Sequence, residues 1–156
     1  MHSITRVDGV KYMALGLLSP EFENNGNIPD KYTCKGEDKS PPLQIKDVPV
    51  NTESLALVMD DPDAPVGTFV HWVAWNIEPV DEIAEDREPG VLGTNDFGRL
   101  GYGGPCPPSG THRYFFKLYA LKKRLSIPEG SSKEELEEAI ADCTIEKAEL
   151  VGLYSK

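Results

Sequence analysis

Ser54-Leu55-Ala56-Leu57-Val58-Met59-Asp60-Asp61 is the stretch that decides the fold. Read at the period of two that a β-strand imposes, it places Leu55, Leu57, Met59 and Asp61 on one face. That face leads a carboxylate out of the core at its end. The turn Asp61-Pro62-Asp63-Ala64-Pro65-Val66-Gly67 comes next, and then a second run, Phe69 to Ile77, in which Phe69, His71, Val73 and Trp75 alternate with Val70, Trp72 and Ala74. Both faces of that run read as buried.

Working outward, Tyr12 to Ser19 reads as a strand stopped by Pro20, and Leu43 to Lys46 as a short one. Between them Glu21 to Pro42 is polar, with Asn24-Asn25-Gly26-Asn27 as a turn signal and Ser40-Pro41-Pro42 closing it, so a long ordered loop is expected. Glu78 to Asn95, acidic and broken by Pro79, Pro89 and Gly90, reads as a second one. Tyr114 to Lys122 is again a strand pattern, with His112, Tyr114, Phe116, Leu118 and Ala120 on one face. A helix is expected over Lys133 to Cys143, because Ser132 and Glu135 fit a capping box and Leu136, Ala139 and Ile140 form a narrow apolar stripe. Thr144 to Tyr154 alternates as a closing strand. Strands dominate and no βαβ rhythm exists, which predicts an all-β fold: an antiparallel β-sandwich with Greek-key connections, long irregular loops and one or two short helices. One domain is expected over residues 13–156, with 1–12 set apart as an N-terminal extension.

The 156 residues suffice for a sizeable core. Sixteen basic against 26 acidic residues give a formal charge of −10, which disfavours nucleic acid and anionic bilayers as unaided partners. The 3 cysteines, Cys34, Cys106 and Cys143, form no C-x-x-C pair and read as reduced thiols. No signal-peptide pattern and no long apolar run occurs, so neither secretion nor integral membrane association is supported, and a cytoplasmic location is the default expectation.

The chemistry gathers around Gly98 to Tyr114, where Gly101, Gly103, Gly104 and Gly110 alternate with Pro105, Pro107 and Pro108 and lead into His112. Glycine allows close backbone approach to a ligand and proline stiffens the loop. Asp61, His71 and His112 occupy strand positions otherwise filled by large hydrophobes, and buried polar groups need partners. Taken singly, each is ordinarily satisfied by backbone at a strand end. Together with the loop, a shared pocket explains them better. Imidazole N–H groups oriented by Asp61, glycine N–H groups forming a nest, and the Tyr114 hydroxyl would suit phosphate or a similar oxyanion. Two histidines and a carboxylate on separate strands give no metal signature. Ser109 and Cys106 lack a nucleophile-elbow context, so no catalytic residue is assigned.

These residues carry a resemblance. Asp60-Asp61-Pro62-Asp63-Ala64-Pro65, then His71-Trp72, then Pro107-Pro108-x-Gly110-Thr111-His112-Arg113-Tyr114 resemble the phosphatidylethanolamine-binding protein family, which includes Raf kinase inhibitor protein. The early segment from Ser19-Pro20-Glu21-Phe22 to Ser40-Pro41-Pro42-Leu43 is similar to its small prokaryotic branch. The resemblance implies a non-enzymatic protein without a cofactor. Its anion pocket would comprise Asp61, His71, Gly103, Pro108, His112 and Tyr114, with Gly101 to Gly104 as a rim and with Asp63 and Arg113 mainly structural. It implies a phosphate-bearing headgroup or similar small anion as ligand, regulation of a partner protein, and a homodimer. Animal members end in a helix beside the pocket. Here Tyr154-Ser155-Lys156 comes directly after a strand, which implies a more open pocket. The alternative reading is a protein-interaction module, an inhibitor of a protease or kinase acting through surface loops. A hydrolase using His71 or His112 as general base is the third.

Overall fold

The computed structural model describes residues 4–7 and 10–156. Its strands are β1 (Ile4–Val7), β2 (Val10–Met13), β3 (Gly16–Leu18), β4 (Gly26–Asn27), β5 (Leu43–Lys46), β6 (Ser54–Asp61) and β7 (Phe69–Ile77). They continue as β8 (Glu82–Ile83), β9 (Val91–Leu92), β10 (Thr111–Leu121) and β11 (Thr144–Ser155), with the helix α1 (Lys133–Ile140) before the last. Strands thus dominate, with one α-helix among the described residues. The largest sheet has the order β4-β11-β10-β6-β7-β9 and is antiparallel except for the parallel β11/β4 contact. A three-stranded sheet runs β3-β5-β8, and β1 pairs antiparallel with β2.

The expected strand over Tyr12 to Ser19 is therefore two, in different sheets, broken at Ala14-Leu15, where the Leu15 N–H donates to the Glu146 carboxylate at 2.9 Å. The N-terminal extension expected over 1–12 falls partly outside the described residues, at 1–3 and 8–9.

Both faces of the large sheet are covered, which is why β6 is buried at every position. Leu55, Leu57 and Met59 join Leu17, Leu43, Ile45 and Ile83 of the small sheet in one core. Ala56 and Val58 join Leu136 and Ile140 of α1 in a second. The helix forms where its capping box predicts, with the Ser132 hydroxyl accepting from the Glu135 N–H and the Glu135 carboxylate accepting from the Ser132 N–H. It ends at Ile140, about one turn earlier than expected, and Thr144 begins β11.

The cysteine reading is corrected. Cys34 and Cys106 are joined in a disulfide, and only Cys143 is a free thiol, buried beside α1. The two partners stand 72 residues apart, and spacing alone cannot reveal a pair that only the fold brings together. The bridge ties the first long loop to the glycine and proline loop.

Candidate functional site

The strand β6 stops at Asp61 because Pro62 cannot donate into a ladder. The Asp61 carboxylate then organises the turn and the neighbouring strand. Its Oδ1 accepts the N–H of Asp63 at 2.7 Å, an Asx turn, and its Oδ2 accepts from Nδ1 of His112 at 2.6 Å. Both residues are buried, Asp61 at 3% and His112 at 7% exposure, so the pair is held in low dielectric. A carboxylate only accepts, so the His112 proton sits on Nδ1 and Nε2 is left to the cavity side. Behind this pair Arg113, one residue on and facing the other way, donates Nε and Nη2 to the two oxygens of Asp63 at 2.9 and 2.8 Å. The Arg113 guanidinium, aided by the Arg113 N–H, holds Asp63 down at about 2.

His71 reaches the same cavity by a device invisible to strict alternation. In the β6/β7 ladder Met59 pairs with Trp72 but Asp60 pairs with Val70, so His71 is the extra residue of a bulge. Phe69 and His71 consequently face the cavity, whereas Val73 and Trp75, expected on their face, lie in the core against α1 with Val70. The bulge also frees backbone for the loop. Val70 accepts from the Asp96 N–H at 2.8 Å, and the Val70 N–H donates to the Asp96 carboxylate at 2.7 Å. Gly103 donates its N–H to the His71 carbonyl at 2.9 Å and accepts the His71 Nδ1–H at 2.7 Å. Burial pushes His71 below the ordinary histidine range, against the opposing influence of the Gly103 carbonyl and the charges of Asp61, Asp38 and Asp60.

Tyr114 lies two residues beyond His112 on the same face of β10 and is fully buried. Its ring meets His71 edge-on at 5.2 Å and stacks on His112 at 6.4 Å. Burial, with the Asp61 carboxylate beside it, pushes its hydroxyl above the ordinary tyrosine range, so it remains a donor.

Asp61, His71, Pro108, His112 and Tyr114 thus line one cavity of about 320 Å³. The sixth expected residue, Gly103, stands behind His71 and outside the lining. Its missing side chain serves packing, because a Cβ there would sit 2.4 Å from the Phe97 ring. Of the four glycines expected to form a nest, Gly101, Gly103, Gly104 and Gly110, the first three are corrected in the same way. The N–H of Gly101 goes to Gly93, that of Gly103 to His71 and that of Gly104 to the Asp38 carboxylate, so none of the three is left for an anion.

The rim is built by residues that sequence reasoning left unassigned to the pocket: Ala64, Pro65 and Val66 on one side, Phe97 on another, Cys106 and Pro107 on a third. Phe97 is placed by Asn95, whose Oδ1 accepts the N–H of Phe97 at 2.9 Å and of Arg99 at 3.2 Å, while its Nδ2 donates to Gly101 at 2.9 Å. The available signals were an aromatic stranded in a polar turn and an asparagine that caps its own loop. Glu88 completes the clamp, accepting from the Trp72 indole at 2.9 Å and from the Tyr102 N–H at 3.0 Å. Among the described residues, no cluster of histidine, cysteine and carboxylate side chains could hold a metal ion.

The family model for the phosphatidylethanolamine-binding protein matches residues 18–155, which include every residue of this cavity. The chain belongs to the phosphatidylethanolamine-binding protein family. A UPF0098 protein of Pyrococcus horikoshii is 50% identical over 150 residues, covering 89% of this chain and 76% of that protein. A UPF0098 protein of Methanothermobacter thermautotrophicus is 47% identical, covering 91% and 99%. Among solved structures, a phosphatidylethanolamine-binding protein homologue of Chlamydia trachomatis superposes with a TM-score of 0.89 at 43% identity, covering 92% of this chain and 98% of its own. YbcL of Escherichia coli, described as a member of the mammalian family, gives a TM-score of 0.84 at 30% identity, covering 91% and 98%. Family membership supports a ligand-binding or regulatory role in general. No described helix is long and apolar enough to cross a membrane.

Proposed function

We propose that this member of the phosphatidylethanolamine-binding protein family is a non-enzymatic binding protein, whose cavity holds a small anion such as a phosphate-bearing headgroup or a carboxylate and through it regulates a partner protein. The observation that carries the reading is the pair of imidazoles with their Nδ1 atoms committed, His112 to Asp61 and His71 to the Gly103 carbonyl. Each ring therefore turns Nε2 to the remaining contacts. A neutral ring offers a lone pair there, and a protonated ring offers a donor. An anion is held when a proton is supplied to Nε2, with the Tyr114 hydroxyl as a further donor.

Two features argue for binding rather than hydrolysis. Ser109 lies outside the lining, and Cys106, the one candidate nucleophile that does line the cavity, is committed to its bridge with Cys34. The double-sheet core, with the small sheet on one face of the large one, is read as the sandwich that the sequence suggests. The test is calorimetric titration with phosphoethanolamine and inorganic phosphate, on the protein and on His112→Ala. Binding that is lost in the variant is expected. Equal binding by both proteins, or by neither, overturns the pocket assignment.

A further inference from the structure

We infer, resting on the reading that this cavity holds a small anion, that the Cys34–Cys106 bridge is a reversible thiol-exchange site, whose reduction by a dithiol releases one wall of the cavity and weakens binding. Cavity and bridge meet at Cys106, which lines the cavity with Pro107 and Pro108. Cys34 stands outside the lining, in the first long loop.

Upstream of Cys106, hydrogen bonds anchor the glycine and proline loop to the first long loop. The Tyr102 hydroxyl donates to the Tyr32 carbonyl at 2.7 Å, the Gly104 N–H to the Asp38 carboxylate at 2.8 Å, and the Cys34 N–H to the Pro105 carbonyl at 3.1 Å. Downstream, the next tie is at Gly110, whose carbonyl accepts from the Lys156 N–H at 3.1 Å. Between these anchors, among the described residues, no hydrogen bond holds Cys106, Pro107, Pro108 or Ser109. The two prolines have no N–H to donate. Pro107 is packed inside, whereas Cys106, Pro108 and Ser109 are exposed. This stretch of wall is therefore kept in place by one buried proline and the bridge. Once the bridge is cut, binding a ligand must also order the released segment, which lowers the affinity.

Both bridged cysteines are exposed, so a reductant reaches them in the folded protein, and exposed bridges are the labile kind. One thiolate of the dithiol bonds to a sulfur of the bridge and expels the other cysteine as a thiolate, which takes up a proton. The second thiol of the dithiol, giving up its own proton, then closes on the first and releases the remaining cysteine. Two electrons and two protons pass to Cys34 and Cys106, and the dithiol leaves as a cyclic disulfide. Cys143 does not divert the exchange, because it is buried in the core beneath α1. The bond from the Cys34 N–H to the Pro105 carbonyl keeps the two thiols adjacent, so oxidation re-forms the same bridge. The coupling is reciprocal: an occupied cavity stabilises the bridged form by the factor that the bridge adds to affinity.

The test is calorimetric titration with inorganic phosphate and phosphoethanolamine on the oxidised protein, on the protein reduced with dithiothreitol and on Cys34→Ser. That substitution removes the bridge and leaves every cavity-lining side chain in place. Thermal melts establish that each form is folded at the titration temperature, where a loss of stability alone leaves affinity unchanged. Affinity is expected to be at least about fivefold weaker in Cys34→Ser and in the reduced protein, and to return when the latter is re-oxidised with glutathione disulfide. A second measurement needs no variant: in a dithiol redox buffer, saturating phosphate should lower the potential of the bridge by about 20 mV, the same fivefold factor. Equal affinity with and without the bridge, a potential unmoved by phosphate, or a bridge reduced only on unfolding overturns this inference and leaves the anion reading standing. Absence of anion binding by the oxidised protein overturns both.

Discussion

Replacing Asp61 with asparagine tests the site at its centre, because it removes one charge and almost no volume. The oxygen of the new side chain has a fixed obligation: the backbone N–H of Asp63, now 2.7 Å from Oδ1, can only donate. The amide NH2 must therefore face His112, where Oδ2 now accepts from Nδ1 at 2.6 Å. Two donors would oppose each other, so the imidazole proton moves to Nε2 and Nδ1 becomes the acceptor. The cost is the difference between a buried charge-assisted hydrogen bond and a neutral one, about 2 kcal/mol given the burial of both partners. For a domain of this length that corresponds to a fall in Tm of roughly 4–8 °C. Binding should move the other way. In the variant the His112 ring would already present a donor at Nε2 without taking up a proton and the repelling carboxylate would be gone, so acetate affinity should rise in Asp61→Asn although the protein is less stable. Thermal melting, imidazole 15N shifts and calorimetry read the three consequences. An Nε2 that carries no proton in the variant, or an acetate affinity that falls in step with stability, refutes the reasoning.

The disulfide makes a separate prediction: closing a loop across its 72-residue separation constrains the unfolded chain, so reduction by a dithiol should cost about 4 kcal/mol and lower Tm by roughly 8–16 °C. Alkylation of the denatured, unreduced protein should label Cys143 alone, and labelling of all 3 cysteines would contradict the bridge. Asp63, held at about 2 by Arg113, contributes stability that is complete above its unfolded value of roughly 3.9 and lost as pH falls toward 2. Asp63→Asn should flatten the acid limb of the stability curve between those values, and an unchanged limb would count against the pair. His71, lowered by burial, takes up its proton more readily unfolded than folded. Acidification from about pH 6.5 should therefore destabilise the protein, and His71→Gln should reduce that slope in denaturant titrations. Trp72→Phe strips the Glu88 carboxylate of an indole donor, whereas the Trp75 indole N–H is buried without a partner among the described residues. Trp72→Phe should accordingly cost more stability than Trp75→Phe, as parallel urea titrations would show.

What was legible in the sequence is whatever repeats within a few residues. The faces of β6 and β10 derive from a period of two, and the start of α1 from Ser132 and Glu135. Asp61, His112 and Tyr114 lie on unbroken strand faces, so their meeting could be anticipated. The parts that were not legible are closures between distant segments. Cys34 finds Cys106, Asp38 takes the N–H of Gly104, and Glu88 takes that of Tyr102, none of which leaves a local pattern. These closures convert a loop that reads as a row of free backbone donors into a stiff wall in which the donors from Gly101 to Gly104 are already spent. His71 shows the same limit at the scale of one residue. Strict alternation would carry it with Val73 and Trp75 into the core beneath α1, where an imidazole would need a buried partner. The bulge at that position turns it instead toward Phe69, Phe97 and Tyr114 and gives its Nδ1 the Gly103 carbonyl. Local irregularity in β7 and long-range closure of the loop are thus one event, since the backbone that the bulge exposes at Val70 and His71 is the backbone to which Asp96 and Gly103 attach.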